Sequence, residues 1–132
     1  MNTQRIVDQP NLIIEAVVRE KWLEVTWIGE MSEHEVMAGC SQIEEAMVQT
    51  GFAKIIKDVR RVTTLWDSSV EWVNEYWMPH IFKLGGRYMA IIAHETPLHK
   101  QLIAGYVQGI INGPILKIFE TKTEAEEWIR HF

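Results

Sequence analysis

Cysteine is nearly absent: Cys40 is the only one in the 132 residues. One thiol makes no internal disulfide, so the chain reads as a protein of a reducing, cytoplasmic compartment. Long apolar runs are missing too. No stretch approaches the roughly 18 residues of a membrane-spanning helix. The opening MNTQRIVDQPN has no apolar core and is not expected to be a signal peptide. Positive charge is scarce: 13 Lys and Arg against 18 Asp and Glu leave a net charge of −5. That argues against nucleic acid as the main partner, since phosphate binding needs a positive footprint, and against electrostatic docking on an anionic membrane.

Several motifs of catalysis are also lacking. Gly85-Gly86 has neither the lysine nor the spacing of a phosphate-cradling Walker loop, and no Gly-x-Ser-x-Gly elbow occurs. The 5 histidines include no His-x-x-x-His pair, and no Cys-x-x-Cys occurs. No metal, no cofactor and no catalytic residue is therefore expected, and the chain is read as a non-enzyme. What remains is globular in composition, 47% hydrophobic and 23% charged. The length suits one domain able to bury about two-thirds of its unfolded surface.

Residues 1–11 are polar, end near Pro10 and read as an N-terminal arm, leaving 12–132 as a single domain. Leu12, Ile14, Ala16 and Val18 alternate as one face of a strand. Leu23, Val25 and Trp27 do so in the next, and the polar Arg19-Glu20-Lys21 between them predicts an antiparallel hairpin. Ser32 and Glu35 have capping-box spacing. Val36, Cys40, Ile43 and Met47 then recur at helical intervals, and Gly51 suits the helix end. A packing role for Cys40 is preferred to a reactive one. Lys54 to Val59 predicts a third strand, and Arg60 to Asp67 a polar loop. A helix follows from about Asp67 with Val70, Val73, Trp77, Ile81 and Leu84 inward, kinked or split at Pro79. Tyr88 to Ala93 is a short buried strand. Thr96-Pro97 opens a helix with Leu98, Leu102, Tyr106 and Ile110 on one stripe. Ile115 to Phe119 is a fifth strand. The last helix is capped by Thr121 or Thr123, with Ala125, Trp128 and Ile129 inward. This order predicts an α/β fold: a mixed sheet of about five strands, the first antiparallel and the rest mainly parallel, with about four helices.

The stretch IIKDVRRVTTLWDSS carries a resemblance. Asp58 ends a strand, a short loop follows, and Asp67-Ser68-Ser69 opens a helix. IFETKTEAEEWI closes the chain as strand and helix. In element order and in these residues the chain resembles the STAS domain, in its divergent SpoIIAA-like (STAS/SEC14-like) branch. Val70 stands where the family has a glycine. The resemblance implies a bacterial regulatory or protein-interaction module like the anti-sigma-factor antagonists. As the alternative it implies a small-molecule or lipid-binding domain of SEC14-like type. The implied partner is a protein or a small apolar or anionic ligand, and a homodimer is open. The resemblance also places phosphorylation at Ser69, where a helix N-terminus, Arg60 and Arg61 would favour an added anion.

The strand ends are expected to gather Glu30, Asp58, Arg60, Arg61, His94 and Glu95 at one edge, the usual ligand crevice of an open α/β sheet. The arginines read either as a clamp for a phosphate or carboxylate or as ion-pair partners of Asp58, Asp67 or Glu71. Trp66, Trp72 and Tyr76 fit no buried stripe well and mark a candidate partner or ligand surface, with Ser68 and Asp67 beside them.

Overall fold

A computed structural model describes residues 3–65, 68–94, 96 and 113–132. Its centre is a six-stranded sheet in which every strand pairs with its neighbours in sequence. β1 (Thr3–Gln9), β2 (Leu12–Val17) and β3 (Trp22–Met31) form an antiparallel meander. β4 (Lys54–Leu65), β5 (Tyr88–Ile92) and β6 (Ile115–Phe119) then run parallel to β3 and to one another. The mixed sheet is the one expected, with six strands rather than five.

The extra strand corrects the reading of residues 3–9 as an arm. TQRIVDQ looks polar because a register shift between Arg5 and Val7 interrupts its alternation. The inserted Ile6 and its neighbour Val7 both pack against the core, and the other side chains stay in water. A bulge in an edge strand also blunts its tendency to pair with other chains.

The β2–β3 turn closes through Lys21, whose N–H donates to the Val17 carbonyl at 2.9 Å and whose φ of 59° lies in the left-handed region. Val18 falls in this turn and is exposed, whereas Leu12, Ile14 and Ala16 are buried as expected.

α1 (Glu33–Thr50) starts with the expected reciprocal cap: Glu35 N–H donates to Ser32 Oγ, and Ser32 N–H donates to the Glu35 carboxylate. It stops at Gly51, whose φ of 71° costs glycine little. Its inward stripe of Val36, Cys40, Ile43 and Met47 packs on the face of the sheet that carries Leu12, Leu23, Val25 and Ile55. The same face is covered by a helical run in three parts: α2 (Ser69–Trp72), a π-helical turn (Val73–Trp77) and α3 (Met78–Lys83). Pro79 sits in the first turn of α3, so the split expected there is present. Proline has no N–H to bond back and crowds the carbonyl four residues earlier. The wider turn just before it, in which Met78 N–H reaches Val73, relieves that crowding.

Among the described residues the cluster on the opposite face is smaller. Trp22, Ile56, Ala90 and Ile92 meet Ala125 and Ile129 of α4 (Lys122–Ile129), which Thr121 caps through Glu124 N–H. Glu24 ties α4 to β3, accepting from Lys122 Nζ at 2.8 Å and from the Trp22 indole at 3.0 Å. The helix expected around Leu98, Leu102, Tyr106 and Ile110 lies outside the described residues.

Candidate functional site

β4 continues as strand through Arg60 to Leu65, where a polar loop was expected. Val62, Thr63 and Thr64 are β-branched and suit a pleated strand, and this preference prevails over their polarity. β5 stops opposite Asp58, and beyond it, among the described residues, β4 pairs with β3 alone. Two register shifts, one at Val59-Arg60 and one at Thr63, put extra residues into β4 along this stretch.

Asp58 and Arg60 hold the first of these shifts together. The Arg60 backbone N–H and Nε both donate to Asp58 Oδ1 at 3.0 Å, and Nη2 donates to Oδ2 at 2.8 Å. Burial alone would raise the Asp58 carboxyl. The hydrogen bonds from Arg60, its charge and the nearby His94 outweigh burial and hold Asp58 below the usual carboxylate range. The Arg60 guanidinium is raised in turn by its bond to Asp58. Such a carboxylate is a poor base and a good clamp. Of the two readings open for the arginines, Arg60 is thus an internal ion-pair partner.

By strand alternation up to the first shift Asp58 shares the face of Ile56, while Ile55, Lys57 and Val59 face α1 and the split helix. Arg61, opposite Ile28, and His94 are exposed near the same edge, and Glu30 stands opposite Thr64. Trp66, Asp67 and Glu95 lie outside the described residues.

The serine pair is divided. Ser68 is exposed, and its carbonyl accepts from Trp72 N–H at 2.9 Å. Ser69, expected to be accessible, is only 4% exposed. It is the first residue of α2 and is buried, as Val73 and Trp77 are further along the same run.

Trp72 and Tyr76 do share a surface. A groove of about 320 Å³ runs between α1 and the split helix. Met37, Cys40 and Glu44 form one wall, and Trp72, Tyr76 and His80 the other. Tyr76 is 65% exposed and Met37 39% exposed. His80 Nε2 meets Glu44 Oε1 at 3.2 Å across it. Trp77 lines the groove from a buried position, and its indole N–H has no acceptor among the described residues. Behind Trp77 lies Lys57, itself buried, with Nζ 5.8 Å from the ring centroid. Burial pushes the Cys40 thiol up to about 12 despite the nearby Lys57 charge, so Cys40 is a packing residue. Sequence reasoning passed over Lys57 and Asn74. A lysine at the inward position between Ile55 and Val59 was the available signal. Among the described residues no three His, Cys, Asp or Glu side chains gather to hold a metal ion, and no helix is long and apolar enough to cross a membrane.

No family profile and no curated protein sequence matches the chain. Solved structures do. The anti-sigma factor antagonist SpoIIAA in its unphosphorylated form aligns with a TM-score of 0.58 at 18% identity, covering 98% of this chain and 99% of that one. An uncharacterised Shewanella loihica protein with a SpoIIAA-like fold gives 0.56 at 14% identity, covering 96% and 91%. SiaC of Pseudomonas aeruginosa gives 0.52 at 14% identity, covering 90% and 100%. The resemblance read from the sequence is thus present in three dimensions: the chain has a SpoIIAA-like fold.

Proposed function

We propose that this chain is a non-enzymatic regulatory domain that acts by binding another protein, in the manner of an anti-sigma-factor antagonist. The observation that carries the reading is the open aromatic groove between α1 and the split helix, where Tyr76 and Met37 stand in water beside Trp72. Exposed aromatics and methionine are the residues that protein interfaces concentrate. The strand ends support it from the other side: Asp58 is spent on Arg60 and not left to act on a substrate. The SEC14-like alternative, a lipid or small ligand, needs an enclosed apolar cavity beneath the split helix. Val73, Trp77, Met78 and Ile81 fill that space with packed side chains.

Regulation through the serine pair takes a specific form in this reading. Ser69 is reached only when the first turn of the split helix opens, and a phosphate added there holds the turn open, because a dianion is not tolerated at a buried site. Ser68 is reachable in the folded state. The experiment is affinity purification of the chain from its own cells, wild type against Ser69→Asp, with native mass spectrometry of what is retained. The expected result is a stoichiometric protein partner on the wild type and a changed yield of that partner on Ser69→Asp. A bound lipid or metabolite with no protein partner would overturn the reading.

A further inference from the structure

We infer that the groove between α1 and the split helix receives an amphipathic helix with basic flanks from a partner protein. This rests on the interaction-domain reading above and adds where the partner sits and what its chemistry is. The apolar part of the surface is shared between two walls. Trp72 and Tyr76, four apart, line one wall, and Met37 and Cys40 of α1 line the other. Two helical walls with an apolar trough between them fit a helix that presents anchors at i, i+3, i+4 and i+7.

Charge decides the flanks. Glu71 and Glu75, also four apart, stand exposed alongside Trp72 and Tyr76. Glu44 lines the groove and Glu45 is exposed one residue on, with the net charge of the chain at −5. The imidazole that lines the groove, His80, already meets Glu44, with Nε2 3.2 Å from Oε1. An incoming helix with acidic flanks would face these carboxylates, and one with lysine or arginine flanks would pair with them. The π-helical turn contributes to the shape. With more residues per turn than an α-helix, it carries Trp77 into the core while Tyr76, its neighbour, stays 65% exposed.

The test uses two synthetic 16-residue peptides with the same leucine stripe, one flanked by lysines and one by glutamates. Binding is read by fluorescence anisotropy and by amide shifts of the isotope-labelled full chain. The lysine peptide should bind, with shifts confined to α1 and residues 72–83, and the glutamate peptide should not. Tyr76→Ala and Met37→Ala should each weaken binding about tenfold or more. Glu75→Gln should weaken it a few-fold and flatten its salt dependence. Tyr76 and Met37 are exposed, so both variants should keep wild-type circular dichroism and melting, which is measured alongside. Equal binding of both peptides, no binding, shifts located elsewhere, or indifference to Tyr76→Ala would overturn the inference. The cellular partner separates the two claims: if Tyr76→Ala and Met37→Ala retain it in full, the groove is wrong and the regulatory reading stands, and if the wild type retains no protein, both fall.

Discussion

Gly39 allows α1 to lie close on the sheet, and Gly39→Ala is the sharpest test of that packing. A Cβ there would stand 2.3 Å from Trp27 Cη2, 2.6 Å from Cζ3 and 3.2 Å from Leu12 Cδ2. Carbon atoms rest at about 3.5–4.0 Å, so the indole would have to retreat by more than about 1 Å. Trp27 is 5% exposed and held between α1 and the strand below, so it has little room to move. Two effects oppose each other. Alanine in a helix interior is favoured over glycine by about 1 kcal/mol. Overpacking a filled core costs about 1–3 kcal/mol, and a rigid ring at this separation argues for the upper end. The net expectation is a loss of about 2 kcal/mol, roughly 6–10 °C in melting temperature for a chain of this size. Urea unfolding followed by tryptophan fluorescence measures it. Trp27→Phe shortens the offending ring, so Gly39→Ala should cost less in that background, with a coupling on the order of 1–2 kcal/mol. A Gly39→Ala protein as stable as wild type, or more so, would refute the close approach and the reasoning with it.

Further expectations concern the serines, the clamp, the thiol and the cap. Ser69→Asp should destabilise by about 2 kcal/mol or more, since it buries a carboxylate, while the exposed Ser68→Asp stays within about 0.5 kcal/mol. Equal effects in urea melts would contradict the burial of Ser69. Asp58→Asn should cost about 1–2 kcal/mol at neutral pH by breaking the fork with Arg60. Because the Asp58 carboxyl titrates lower in the folded chain than in the unfolded one, its contribution is full above the unfolded carboxylate value. It is lost as pH falls through the depressed folded value. Stability of the wild type should therefore fall more steeply below pH ~4 than that of Asp58→Asn. Cys40, with its thiol pushed up to about 12, should react with a disulfide reagent at pH ~8 only as fast as the chain opens. Rapid labelling of the native protein would count against its packing role. Ser32→Ala should cost about 1 kcal/mol by removing the cap of α1, read as a shift in urea midpoint.

The parts of the fold legible in the sequence are those where local chemistry and burial agree. Ser32, Glu35, the spaced Val36, Cys40, Ile43 and Met47, and Gly51 all specify the same helix, and that helix is present. Alternation placed Leu23, Val25 and Trp27 on one face because β3 carries polar, half-buried residues, Glu24 and Thr26, between them. Pattern reading failed where tertiary pairing supplies what the sequence withholds. β1 is carried by its bonds to β2 and not by its own polar residues. Among the described residues, 60–65 are held as strand by pairing with β3 and by the Asp58–Arg60 fork. The candidate site was half legible. Trp72 and Tyr76 do meet in one groove, but their opposite wall belongs to α1, which no spacing within Trp66 to Tyr76 could indicate. Ser69 was misjudged because a helix-start serine usually faces water, and here that residue is buried.

The order of the strands has a consequence for how the chain acquires its structure. Each strand lies beside the one that precedes it, with no later strand inserted between earlier ones. As the polypeptide leaves the ribosome, every new strand meets an edge that already exists. The first 62 residues contain β1 to β3, α1 and most of β4, and with them Leu12, Ile14, Trp27, Ile43, Met47, Ile55 and Val62 of the larger core. That half can collapse while the rest is still being made, and the split helix, β5 and α4 are then added to a standing template. Such vectorial growth keeps loop closures short, which favours fast assembly and limits the time that bare strand edges spend in water.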